Sequence, residues 1–301
     1  MTKKSLGAFC SVGLVLCASI WGFAFVVVKD SLDYIGPVWM IAFRFSIAAF
    51  CLGLLLHKRL LGLTKKTFMR GMLLGFFLFM AYLLQTIGCK FTTAGKNAFL
   101  TTVYVVLVPL FAWPLFRKRP SWYVFVAALM SVSGIGLLAL KNEGNILSMN
   151  KGDVLTLSCG IFYALHILFT SHFNAYDDPL LLTVLQFAAA AFLGWICAPF
   201  MDGAFPLEIF TNARVLLSVF YLGLLSTLVC FVLQNVGLKY VAPALASLFL
   251  SLESLFGVLF STLLLHEAVT PRMLLGCSLI FAAIILAEVV PELVKGKEAI
   301  V

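Results

Sequence analysis

A chain of 301 residues that is 62% hydrophobic and only 11% charged cannot clothe a water-soluble domain, and a mean hydropathy of +1.08 makes lipid its principal solvent. The net charge of +8 invites a nucleic-acid reading, but the basic residues stand in short loops between apolar runs, where they report membrane insertion. There is no Walker A sequence, no HExxH, no GxSxG and no concentrated His/Asp/Glu cluster, so neither ATP nor a metal, a cofactor or an enzymatic centre is expected.

A spanning helix needs about 20 apolar residues, and ten such stretches are read, at roughly 8–28, 37–56, 71–89, 97–116, 121–140, 153–172, 179–200, 213–236, 241–265 and 272–290. The first has a signal-like start, Lys3 and Lys4 before an apolar run. That run is too long for a signal core and lacks a small-x-small cleavage site before Trp21, so it counts as helix 1. The loops are too short for a soluble catalytic domain. The expected fold is therefore an all-α membrane protein of ten transmembrane helices. The eight cysteines are scattered singly with no CxxC pair and read as small packing residues.

With the N-terminus in the cytoplasm, the first half places Lys3, Lys4, Lys58, Arg59, Lys65, Lys66, Arg70, Arg117, Lys118 and Arg119 inside. Lys29, Lys90, Lys96, Lys141 and Lys151 fall outside. This asymmetry sets the orientation, and an even number of spans returns the C-terminus to the cytoplasm. The expected location is the cell membrane.

The two halves repeat one another. Pro37 to Phe50 reappears as Pro179 to Phe192, an offset of 142, and Gln85 to Phe91 reappears as Gln234 to Tyr240, an offset of 149. The repeats are taken as 8–140 and 152–290, joined through the polar segment Lys141 to Asn145. Five spans per repeat make the second copy start from the opposite side, so the copies are inverted and a substrate site is expected between them. Lys90 and Lys239, equivalent in the repeat, should then lie on opposite faces. Gly88 and Gly237 before these lysines fit helix C-termini, with the lysine favouring the negative end of the dipole. Pro109 and Pro114 should kink or loosen helix 4 alone, since their mates are Val258 and Leu263.

Polar residues inside the spans are the candidate site. Glu253 lies near the middle of helix 9, where a carboxylate costs about 2.5–3.5 kcal/mol. It is a proton-coupling group, a counter-charge for a cationic substrate group, or a structural carboxylate held by donors such as Ser251 or Ser254. Arg44 on helix 2 either snorkels, binds a substrate carboxylate or pairs with an acidic helix residue, and its mate Gln186 is polar too. Asn97, Thr101 and Tyr104 form a stripe at helical spacing on helix 4. The mate of Tyr104 is Glu253, so inversion should bring this stripe opposite that carboxylate. Trp21 and its mate Tyr163 are core filler or gates, and His166 is hydrogen-bonded packing or a proton relay. Tyr82 and Gln85 are placed on the outer half of a cavity, Gln234 and Asn235 on the inner half. Ser247, Ser251 and Ser254 read as a helix-packing seam.

The residues Ala94-Gly95-Lys96-Asn97-Ala98-Phe99-Leu100-Thr101-Thr102 with Tyr104 to Pro109, then Ala242 to Leu248, Ser251-Leu252-Glu253 and Leu265-His266-Glu267, resemble the drug/metabolite transporter superfamily in its EamA-type branch. The family commonly has proline after the helix-9 carboxylate; here that position is Ser254, and local geometry around Glu253 is open to differ. The resemblance spans nearly the whole chain. It implies two inverted five-helix repeats around a cavity of helices 1–4 and 6–9, and secondary transport of small metabolites by alternating access, frequently export of amino acids or related compounds. The alternative is an uptake permease or a proton-coupled antiporter for a small cation or drug-like molecule. The expected partners are thus a small-molecule substrate, the lipid bilayer and, in that alternative, protons.

Overall fold

The computed structural model describes residues 3–117, 122–139, 149–241 and 243–298, and every regular element among them is helical. The helices are α1 (Lys3–Ser31), α2 (Pro37–Leu55), α3 (Lys65–Phe91), α4 (Ala94–Phe116), α5 (Trp122–Ala139), α6 (Lys151–Phe173), α7 (Pro179–Met201), α8 (Ala213–Tyr240), α9 (Pro243–Leu265) and α10 (Pro271–Glu298). Each expected span coincides with one of them. Seven are long and apolar enough to cross a bilayer, and two more contain the apolar stretches Phe249–Leu265 and Pro271–Ala283. The junction expected at Lys141 to Asn145 lies outside the described residues.

Local sequence explains where these helices start. Proline opens α2, α7, α9 and α10, where its missing N–H is not needed. Thr64 and Thr93 cap α3 and α4 by accepting from Thr67 N and Lys96 N, and Asn150 with Asp153 forms a capping box on α6. Two further caps come from the other repeat. Asp202 Oδ2 accepts from Val38 N (2.6 Å) and Trp39 N (2.9 Å) at the start of α2. Glu267 accepts from Ala94 N (2.7 Å) and Gly95 N (3.0 Å) at the start of α4, aimed there because His266 turns the chain through a left-handed conformation (φ 53°).

The packing displays the inversion directly. α2 and α7 are repeat mates, and they pack antiparallel: Gly53 lies beside Val184, whereas Gly194 lies against Ala42. A dyad relating two such helices must run across them, in the plane of the membrane. Reciprocity follows, since α3 packs on α6 and α7 while its mate α8 packs on their mates α1 and α2. The two lysines also separate as expected. Lys90 lies by the start of α6, where Gly88 and Phe91 meet Gly152; Lys239 lies by its end, beside Asn174. The 23 residues of α6 put about 34 Å between those ends.

Two local expectations need correction. Gly88 and Gly237 are not terminal caps but stand one turn inside α3 and α8, where they accept the last N–H bonds, from Thr92 and Val241. Gly88 is small because α6 is close: a methyl group there would fall 2.9 Å from Gly152 O. Lys90 and Lys239 do stand in the last turns of α3 and α8, and α3 gains a second cation from α1, Lys29 Nζ donating to Cys89 O (2.9 Å) and Thr92 O (2.6 Å). Finally, α4 breaks at Thr102–Val103, upstream of both prolines, through i→i−3 bonds and the Thr102 hydroxyl donating to Phe99 O at 2.6 Å.

Candidate functional site

A cavity of about 40 Å³ lies between the repeats. It reaches from the middle of the bundle toward the Lys90 end, where Val28 and Cys89 border it. Of the residues singled out in the sequence, Trp21, Arg44, Tyr82 and Asn97 line it, as do Tyr104, Tyr163 and Glu253. The other three do not. Thr101 lies one layer behind, while His166 and Gln186 bond to each other at 2.5 Å away from the cavity wall.

Arg44 is 2% exposed within α2. Its Nε donates to Thr227 Oγ1 at 2.9 Å and its Nη2 to Ser226 Oγ at 3.0 Å, and its guanidinium carbon lies 4.5 Å from the Tyr82 ring centroid. Neighbouring hydroxyls reach one guanidinium because α8 is wound as a π-helix over Tyr221–Val229. The same segment offers Ser226 O to the Trp21 indole at 2.7 Å. Nothing in the hydropathy pattern signals π winding, so Ser226 and Thr227 escaped the sequence reading. A serine-threonine pair in mid-span was the one available hint.

On the opposite wall, Tyr104 donates to Glu253 Oε1 at 3.1 Å. The expected meeting of the helix-4 stripe with the carboxylate therefore occurs through Tyr104; of the two serines suggested as donors, Ser254 turns back, its Oγ donating to Ser251 O. No ion pair joins Arg44 to Glu253. Between them run three tyrosines, Tyr82 to Tyr163 at 5.7 Å and Tyr163 to Tyr104 at 6.1 Å between centroids. Tyr163 donates to Gln85 Oε1 (2.9 Å), and Gln85 Nε2 donates to Thr101 Oγ1 (3.2 Å). Asn97 Nδ2 bridges Gln85 O (3.2 Å) and Thr156 Oγ1 (2.7 Å). The polar stripe of α4 thus fixes the tyrosine wall. Gln85 and Gln234 face the same cavity rather than separate halves, and Asn235 is buried behind it, donating to Thr183 Oγ1. Among the described residues no group of His, Cys, Asp and Glu is arranged to hold a metal.

Chemically, the wall offers one cation, one carboxylate, several amide and hydroxyl groups and aromatic faces, all shielded from bulk water. Such a wall inside a duplicated, multi-pass membrane protein is the anatomy of a membrane transporter. The sequence comparisons agree with that class. The chain matches the EamA-like transporter family over residues 8–140 and 150–288, and it belongs to that family. It is 32% identical over 280 residues to an uncharacterized transporter of Archaeoglobus fulgidus, covering 93% of this chain and 86% of the relative. It is 24% identical over 282 residues to the uncharacterized transporter YvbV of Bacillus subtilis, covering 91% and 90%. A crystal structure with 17% identity shares the fold at a TM-score of 0.69, covering 95% of this chain and 97% of that one.

Proposed function

We propose that the protein is a secondary active transporter for a small metabolite, an amino acid or related polar or amphipathic compound, which it exports by alternating access through the central cavity. The observation that carries this reading is the pair of opposite charges facing one enclosed space without neutralising each other. A buried guanidinium satisfied only by hydroxyls and a ring retains the capacity for a carboxylate, which it binds through paired N–H groups. Glu253, held by a neutral tyrosine, retains the capacity for an ammonium group. The tyrosines and Trp21 supply shape. Two repeats, 8–140 and 152–290, would rock about their shared dyad, with helices 1, 2, 6 and 7 moving against the rest. The excess of lysine and arginine before helix 1 and in the links between helices 2 and 3 and between helices 4 and 5 supports a cell-membrane protein with both termini cytoplasmic.

The test is thermal unfolding of purified protein against amino acids, amines, nucleosides and sugar phosphates, followed by flux in proteoliposomes. Amino acids should raise the melting temperature and Arg44→Gln should abolish the rise. If sugar phosphates or nucleosides stabilise the protein and amino acids do not, the zwitterion reading fails.

A second reading, proton-coupled antiport, is favoured by the carboxylate that faces the cavity with a hydroxyl as its partner. In vesicles with an imposed pH gradient, wild-type flux should respond to the gradient and Glu253→Gln flux should not. Equal responses exclude coupling at Glu253.

A further inference from the structure

Equivalent helix ends of the two repeats differ in one respect: the first is plugged by an ammonium group and the second is open. In the first repeat Lys29, near the end of α1, directs its Nζ at the last carbonyls of α3. It donates to Thr92 O at 2.6 Å and Cys89 O at 2.9 Å, with Lys90 O at 3.4 Å. A helix leaves its last carbonyls without N–H partners and gathers partial negative charge there, so a cation is their natural complement.

With the offsets of 142 and 149, the mates of Lys29, Cys89, Lys90 and Thr92 are Ser171, Leu238, Lys239 and Val241. The backbone keeps the correspondence. α3 ends at Phe91, with Thr92 N donating to Gly88 O. α8 ends at the mate of Phe91, Tyr240, with Val241 N donating to Gly237 O, and both capping residues are extended. All four mates line one open pocket of about 300 Å³ at the Lys239 end of the bundle. Serine is too short to do what the four-carbon stem of lysine does, so α8 keeps the carbonyl cup without the tethered cation.

A second group points the same way. Asn174 borders this pocket and is only 5% exposed. Its Nδ2 donates to Asn235 O at 2.9 Å, whereas its Oδ1 has no hydrogen-bond partner. A buried acceptor left unpaired is costly, and a donor entering the pocket offsets that cost.

We infer that this pocket is a binding site for a primary ammonium group, held by the carbonyls of Leu238, Lys239 and Val241 as Lys29 is held by those of α3. Asn174 Oδ1 is an added acceptor. The space is far larger than a bare alkali ion, and an ammonium on a carbon stem is what the first repeat seats at the same place. Lys239 does not forbid a cation here, because its mate Lys90 accepts Lys29 at its own carbonyl while its side chain is exposed. Exposed likewise at the rim, Lys239 favours a ligand that carries an anion beside the ammonium. The pocket lies where the apolar span Ala213–Tyr240 ends, at the membrane boundary. A phosphoethanolamine group carries both charges, whether free in solution or as a lipid headgroup. The inference does not depend on what the central cavity binds.

Thermal unfolding of the purified protein tests it, since a ligand that binds only the folded form raises the melting temperature. In detergent, phosphoethanolamine should raise it, and phosphocholine, whose methylated nitrogen has no N–H to donate, should bind at least about tenfold more weakly. In nanodiscs, phosphatidylethanolamine should stabilise the protein relative to phosphatidylcholine. A rise in the nanodisc arm identifies the lipid as the source, and a rise with the free compound alone identifies a soluble amine. No rise in either arm overturns the proposal, as do equal shifts from phosphocholine or from sodium phosphate. Ser171→Lys, which copies Lys29, should raise the basal melting temperature and abolish both responses. Asn174→Leu, which copies Leu32, should weaken them, so a response that survives both variants overturns the site. Glu253→Gln should leave the responses intact. Their loss there, with Ser171→Lys unaffected, would place the ammonium in the central cavity and overturn the proposal as well.

Discussion

Tyr104 and Glu253 occupy the same position in the two repeats, 149 residues apart, and they hydrogen-bond to each other at 3.1 Å. Equivalent residues of an inverted pair meet only next to the dyad, so this bond marks where the pseudo-symmetry axis crosses the site. The chemistry at the axis is asymmetric, a donor from one repeat and an acceptor from the other.

Removing the donor alone should therefore be worse than removing both partners. Tyr104→Phe leaves a buried carboxylate short of a hydrogen bond and should destabilise the protein by about 1–3 kcal/mol, whereas the double variant Tyr104→Phe with Glu253→Leu should regain most of that loss. Thermal unfolding of the three proteins in one detergent checks it. Additive losses would show that the bond contributes nothing.

Arg44 carries a planar guanidinium whose N–H groups lie in a fixed fork, a geometry lysine cannot reproduce. Arg44→Lys keeps the charge and should still fold, yet ligand-induced stabilisation, about 2.7 kcal/mol at a hundredfold excess over Kd, should shrink markedly for carboxylate ligands. Melting curves with and without ligand provide the measurement. An undiminished shift would place the carboxylate elsewhere.

Asp153 is fully buried and accepts from Lys96 Nζ (2.6 Å), Thr92 Oγ1 (2.9 Å) and Asn150 N (3.2 Å), joining α6 to the start of α4. Lys96→Met strands that charge and should lower stability by about 3–5 kcal/mol, with partial recovery in Lys96→Met combined with Asp153→Asn. Chemical or thermal unfolding distinguishes the outcomes. A neutral Lys96→Met would mean the two remaining donors suffice.

Two glycines make a contrasting pair. A methyl group on Gly22 would fall 2.9 Å from Gly257 N, so Gly22→Ala should force α1 and α9 apart at about 1–3 kcal/mol. At Gly53 the nearest atom would be Val184 Cγ1 at 3.8 Å, and Gly53→Ala should be neutral or stabilising by up to about 1 kcal/mol. Melting temperatures that move in the same direction for both would contradict the packing described.

Much of the site was legible because burial in lipid makes polar residues conspicuous. Arg44, Asn97, Tyr104 and Glu253 stand out in runs of leucine, valine and phenylalanine, and all four reach the cavity. Offsets between the repeats even brought Tyr104 to its partner. Position relative to the cavity was not legible: His166 and Gln186 look no different in sequence from cavity residues, yet they bond to each other away from its wall. Ser226 and Thr227 became visible only through the π winding that turns them onto Arg44.

By itself the sequence determined that this is a duplicated, ten-stretch, all-α membrane protein with inverted halves, because hydropathy and the parity of spans are properties of the chain taken in order. Tertiary structure decided which polar residues reach the cavity, which helix is broken and who caps whom. Asp202 on α2, Glu267 on α4 and Lys29 on α3 are all supplied by distant segments. Those choices depend on how closely two helices approach, which the linear pattern does not record.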